Sequence, residues 1–99
     1  MIKEVNKENF ETEVLKEDMV VVDFYANWCG PCKMLRPVLE EVAKDGTGKI
    51  VSVNVDDEKD LAIEYGISSI PCLVLFKGGK ETRRNVGFIP KEKVEEMFR

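Results

Sequence analysis

The chain is predicted to form a three-layer α/β/α domain with a mixed central sheet. Apolar runs of strand character alternate with segments of helical periodicity through the first two thirds of the sequence. Two further strand runs then flank Lys77-Gly78-Gly79-Lys80, and a last amphipathic segment follows. Ninety-nine residues also leave room for one packed core, so residues 1–99 are expected to be a single domain.

The elements follow in order. Ile2 to Val5 reads as a short edge strand. Phe10, Val14 and Leu15 recur at helical spacing, with Asn6 or Asn9 available as N-cap. Val20 to Tyr25 is β-branched, aromatic and nearly unbroken, as in a strand covered on both faces. Leu35, Val38, Leu39 and Val42 keep i, i+3, i+4, i+7 spacing and predict a helix from about Cys32 to Ala43, with Pro37 inside it. Ile50 to Val55 is the next strand. Leu61, Ala62 and Tyr65 mark a short helix that Gly66 stops. Leu73 to Phe76 and a run ending near Val86 form a hairpin. Val94, Met97 and Phe98 share one side of a closing helix that Pro90 starts. Alternating βαβ units imply parallel strands, and the hairpin implies antiparallel ones. The expected sheet has four to five strands flanked by four helices.

Composition removes several function classes. The apolar and charged fractions, 43% and 34% with a net charge of −4, are those of a globular domain. There is no histidine, which excludes Ser-His-Asp and Cys-His catalysis and any His-ligated metal or haem. Three cysteines are too few, and odd in number, for a disulfide-stapled scaffold. The acidic balance argues against nucleic acid as a partner. The one adjacent basic pair, Arg83-Arg84, reads as a solvated strand end. Apolar runs such as Met19 to Val22 and Leu73 to Phe76 are far short of the roughly 20 residues that span a bilayer. With no leader in view, no membrane association and a reducing cytoplasm are the expectations.

Cys29 and Cys32 carry the chemistry. Three cysteines placed at random contain a pair at this spacing roughly 6% of the time, so position counts for more than spacing. The pair falls between a strand and a helix, with Pro31 where a first helical turn accepts proline. Unpaired N–H groups and a partial positive charge at a helix start favour thiolate over thiol. Cys29 comes first and is expected to be the more exposed, hence the nucleophile. Cys32, inside the first turn, is the resolving thiol.

Trp28-Cys29-Gly30-Pro31-Cys32-Lys33, preceded by Val22-Asp23-Phe24-Tyr25-Ala26, resembles the active-site segment of the thioredoxin family. Ser69-Ile70-Pro71 resembles its cis-proline loop, Phe76-Lys77-Gly78-Gly79 its hairpin, and Val86-Gly87 the end of its last strand. The likeness covers essentially the whole chain and implies the thioredoxin fold. It implies a general protein-disulfide reductase with no bound cofactor, its redox group being the Cys29–Cys32 pair. It further implies a monomer served by a thioredoxin reductase, NADPH- or ferredoxin-linked, and acting on disulfide-containing target proteins. Asp23 would accept the proton of Cys32. Ile70-Pro71 would be cis, with the Ile70 backbone open to an extended substrate. Trp28, Gly30, Pro31, Pro71 and Gly87 would complete the substrate surface, Trp28 as a partly exposed wall beside the thiols.

Some positions admit plainer readings. Asp23 could be an exposed strand end or a structural hydrogen-bonding group, and Tyr25 reads as core. Two positions depart from the family pattern. Cys72 stands where threonine is usual; it is either a small buried packing residue or an accessory thiol near the pair. Ser52 stands where the family often has a lysine paired with the buried aspartate. Two other functions stay open at this point: a glutaredoxin-like or isomerase-like enzyme, and a binding module in which Cys29, Cys32 and Cys72 hold zinc or an iron–sulfur cluster.

Overall fold

Strand β2, Met19–Tyr25, is the centre of the molecule. In the computed structural model, which describes residues 2–99, it pairs in parallel with β3, Lys49–Asn54, and antiparallel with β4, Cys72–Lys77. The short β1, Lys3–Glu4, lies parallel outside β3, and β5, Lys80–Val86, lies antiparallel outside β4. The sheet order is β1-β3-β2-β4-β5. Helices α1 (Gly30–Lys44), α2 (Lys59–Glu64) and α3 (Lys91–Met97) complete it, with a π-helical turn at Glu11–Leu15. This is the mixed five-stranded α/β sheet expected.

Side-chain alternation along β2 builds the two cores. Val20, Val22 and Phe24 point to one face, where Phe76 of the neighbouring strand joins them and Phe10, Val14 and Leu61 pack against them. Val21 points to the other, among Leu35, Leu39, Val42, Val94 and Met97. Asp23 follows the same alternation onto that second face. Burying a Val, Leu or Phe side chain stabilises by about 1.5–3 kcal/mol, so continuous apolar strands and helical stripes suffice to select these layers.

Several boundaries shift for local reasons. The first helix is a π-helical turn, closed by Lys16 N–H on the Glu11 carbonyl at 2.9 Å. Asn6 and Asn9 lock the approach to it by exchanging hydrogen bonds between each backbone N–H and the other side chain, at 2.8 and 3.0 Å. α1 starts two residues earlier than the apolar spacing indicates, because Cys29 caps it. The helix runs on through Pro37, which withholds an N–H from the Lys33 carbonyl. Leu35, Leu39 and Val42, all fully buried, hold it in place. The two-residue hairpin turn takes positive φ at both Gly78 (58°) and Gly79 (84°), the geometry that matches strand twist and that side chains resist.

Arg83 and Arg84 are exposed, as expected, but they lie inside β5 rather than at its end and are anchored there. Successive strand residues face opposite sides of a sheet, and each arginine reaches the end of a different helix. Arg84 donates to the carbonyls of Tyr65 (2.6 Å) and Gly66 (3.3 Å), just past α2. Glu81 grips the same guanidinium at 2.8 and 2.9 Å. Arg83 donates to Glu96 O (2.9 Å) and Arg99 O (2.8 Å) at the end of α3. Orphan carbonyls and a partial negative charge at helix C-termini favour cations there. Arg84→Ala is expected to cost about 1–2 kcal/mol in urea denaturation. Arg84→Lys recovers only part of this, since an ammonium lacks the planar fork.

Candidate active site

The end of β2 hands the chain through Ala26-Asn27-Trp28 to Cys29, and α1 begins at the next residue. Cys29 is extended (φ −88°, ψ 113°), and its sulfur accepts the Cys32 N–H at 3.2 Å. The two cysteines form a disulfide across Gly30-Pro31, with Cα atoms 5.2 Å apart. The capping position thus sets a sulfur on the helix's unpaired N–H groups, as expected.

Exposure differs from expectation. Cys29 is 4% and Cys32 5% accessible, so the first cysteine is not the more exposed. Ala26 is buried with the pair, and Tyr25, Val55 and Ile70 pack against them. Gly30 and Pro31 remain exposed at the surface.

Asp23 lies under this site. It is buried, and its Oδ1 has no hydrogen-bond partner. It is neither an exposed strand end nor a fully satisfied structural group. A cavity of about 260 Å3, lined by Asp23, Tyr25, Ala26, Cys32, Lys33 and Arg36 among others, joins the carboxyl to the inner cysteine. Burial pushes the Asp23 pKa up to about 7; Arg36 opposes the rise and Glu4 adds to it. Tyr25 is half-buried rather than core. Its hydroxyl donates to Glu4 at 2.7 Å, and burial, then that bond, pushes its pKa up to about 12.

The cis-proline loop comes alongside. The Ile70-Pro71 bond is cis, and the loop meets the cysteine cluster through Ile70. Pro71 O accepts the Gly87 N–H at 2.8 Å, which ties this loop to the end of β5. Gly87 has φ 95° there, a conformation that favours glycine. Among the described residues, the Ile70 N–H and C=O make no hydrogen bond. Trp28 is 70% exposed, and its indole N–H donates to Asp56 at 2.8 Å. Asp56 in turn is held by its N–H on Asn54 Oδ1 at 2.8 Å.

Cys72 belongs elsewhere. It is a buried free thiol in the core cluster with Phe24, Val74 and Phe76, on the face of the sheet opposite Asp23. Burial raises its pKa. Among the described residues, no three His, Cys, Asp or Glu side chains group to hold a metal ion.

Two site residues escaped the sequence reading, Arg36 and Asp56. Arg36 had a usable signal: four residues after Cys32, it lies on the same face of α1 one turn on. Asp56 had none, since only the β3 exit loop brings it under Trp28.

Comparison with known proteins agrees with this geometry. A family model described as thioredoxin matches residues 1–99. The thioredoxin family includes this chain. A thioredoxin of Chlorobaculum thiosulfatiphilum is 48% identical over 94 residues, covering 92% of this chain and 87% of the relative. One of Mycoplasmoides gallisepticum is 44% identical over 95 residues, 95% of each. A solved mutant thioredoxin of Halobacterium salinarum superposes with a TM-score of 0.91 at 33% identity, covering 97% of this chain and 86% of that one. The chain is a protein-disulfide oxidoreductase that works by dithiol–disulfide exchange at Cys29 and Cys32. Thioredoxins carry no bound cofactor; the disulfide is the redox group. Membership implies disulfide-containing targets and a reductase partner. Among the described residues, no helix is long and apolar enough to cross a membrane.

The raised Asp23 pKa has a stability consequence. Between about pH 4 and 7 the unfolded chain releases this proton while the folded chain keeps it, so stability falls with rising pH and levels off above about 7. Asp23→Asn removes that loss. Its gain over the parent is expected to be small at pH 4 and on the order of 4 kcal/mol at pH 8, read by denaturant titration at the two values. An equal gain at both would contradict the ionisation account.

Proposed function

We propose that the chain is a general protein-disulfide reductase in which Cys29 attacks, Cys32 resolves and Asp23 takes the proton. The observation that carries this reading is the Cys29 sulfur at the start of α1, on the Cys32 N–H at 3.2 Å. In the reduced protein the same N–H and the helix dipole favour a Cys29 thiolate. The thiolate attacks one sulfur of a target disulfide, and the other target sulfur leaves as a thiolate. Cys32 then gives its proton to the Asp23 carboxylate across the cavity and attacks Cys29. The second target sulfur leaves, and the Cys29–Cys32 disulfide remains. Two electrons have passed to the target, and a reductase returns the pair to the dithiol.

The extended target segment lies over Trp28, Gly30 and Pro31 and against the Ile70–Pro71–Gly87 edge, hydrogen-bonding the Ile70 backbone as an added strand does. Cys72, buried with a raised pKa, packs and takes no part. The protein is a monomer of one domain, acting in a reducing cytoplasm, where dithiol reductants operate. NADPH- and ferredoxin-linked reductases are both candidate donors, told apart by supplying each in purified form and following turnover.

The test is reduction of a model protein disulfide with dithiothreitol as electron source. Cys29→Ser should abolish activity. Cys32→Ser should accumulate a mixed disulfide visible by mass spectrometry. Asp23→Ala should slow target release by about tenfold or more without abolishing it, and Cys72→Thr should leave the rate within about twofold. Activity surviving Cys29→Ser would refute the assignment.

A further inference from the structure

Two cations line the cavity beside Asp23, Lys33 and Arg36. Lys33 is exposed, whereas Arg36 is half-buried and held from three sides. Its Nη1 donates to Ser52 Oγ at 2.6 Å, its Nε lies 3.5 Å from Glu40 Oε2, and its guanidinium sits 5.8 Å from the Tyr25 ring centroid. The Tyr25 ring is itself anchored by the hydroxyl bond to Glu4. Ser52 is the residue paired with Asp23 in the β2–β3 register. Neighbouring strands lie about 4.8 Å apart with paired side chains on one face, so the guanidinium is fastened next door to the carboxyl.

The other groups around Asp23 offer no equivalent. β3 contributes the uncharged Ser52, and β4 contributes Leu73 opposite Asp23. The Cys72 thiol is on the far face. β1 brings Glu4, a like charge, and α1 brings Cys32 and Lys33 besides Arg36 and its partner Glu40.

We propose that Arg36 is the positioning residue of the proton transfer: anchored on Ser52, it supplies the fixed positive charge that lets Asp23 ionise and receive the Cys32 proton. An aspartate kept neutral by burial already holds its proton and is too weak a base to take the thiol's, and a held cation shifts the balance toward the carboxylate. The inference rests on Asp23 being the acceptor, so its test reads Asp23 directly as well as the rate.

The Asp23 carboxyl is followed by 13C NMR against pH in the oxidised protein, with Asp23→Asn to assign the signal. Release of a target peptide from its Cys29 mixed disulfide is measured over the same pH range. Arg36→Met should raise the Asp23 midpoint by about half a unit or more and move the pH profile of release with it. Below the midpoint, release should slow about threefold or more. Arg36→Lys should stay near the parent. Adding Ser52→Lys to Arg36→Met should bring the midpoint back, because it returns a cation to the neighbouring strand. Should Arg36→Met not fold, Ser52→Ala keeps the charge but removes its anchor and should raise the midpoint by less. An unchanged midpoint in the variant that folds overturns the proposal, as does Arg36→Lys behaving like Arg36→Met. A shifted midpoint in a protein whose release is insensitive to Asp23→Ala would leave the Arg36–Asp23 coupling standing and remove the acceptor role instead.

Discussion

Burial of β2 on both faces and both edges is the constraint from which the rest follows. Its backbone is consumed by β3 on one side and β4 on the other. Its side chains fill two separate cores. A strand so enclosed is paired on both edges through Phe24, so the cysteine loop leaves it from a defined point. The capping sulfur of Cys29, the first turn of α1 and the cavity above Asp23 inherit that placement. The cis-proline loop is positioned likewise, because β4, the strand it leads into, is the antiparallel neighbour of β2.

The same enclosure puts the chemistry and the stability of the fold in opposition. A carboxyl in the middle of β2 has one oxygen without a partner and a pKa near 7. An apolar residue there would fold better. Burial brings the carboxyl's pKa near neutrality, the range in which a general acid or base works best at ordinary pH. Opposed charges around it, Glu4 and Arg36, set where within that range it titrates.

The fold was largely legible because its signals are short-ranged. β-branched runs, one clear helical stripe, a Gly-Gly hairpin and a helix-stopping glycine each act within a few residues. The readings that failed depend on distant partners. Arg83 and Arg84 do face solvent, but nothing near them in sequence marks the two helix ends, one on each side of β5, to which they donate. Tyr25 looks like core until Glu4 and Arg36 take its hydroxyl and ring outward. Cys29 looks exposed until Ala26 and Ile70 pack around the disulfide.

The class of fold, the redox pair and an acid set in an apolar strand are all legible in the residue order. Each is written in residue type and spacing: Cys29 and Cys32 at a strand-to-helix turn, and a lone Asp23 in an apolar run. Their surroundings come from packing between distant segments. It sent Cys72 to the face opposite Asp23, since that is the side its strand register dictates. It brought Arg36 onto Ser52 from a helix packed across the sheet. Exposure and electrostatics are sums over neighbours, and for this site those neighbours come from β1, α1, β3 and β4, which only the folded chain assembles.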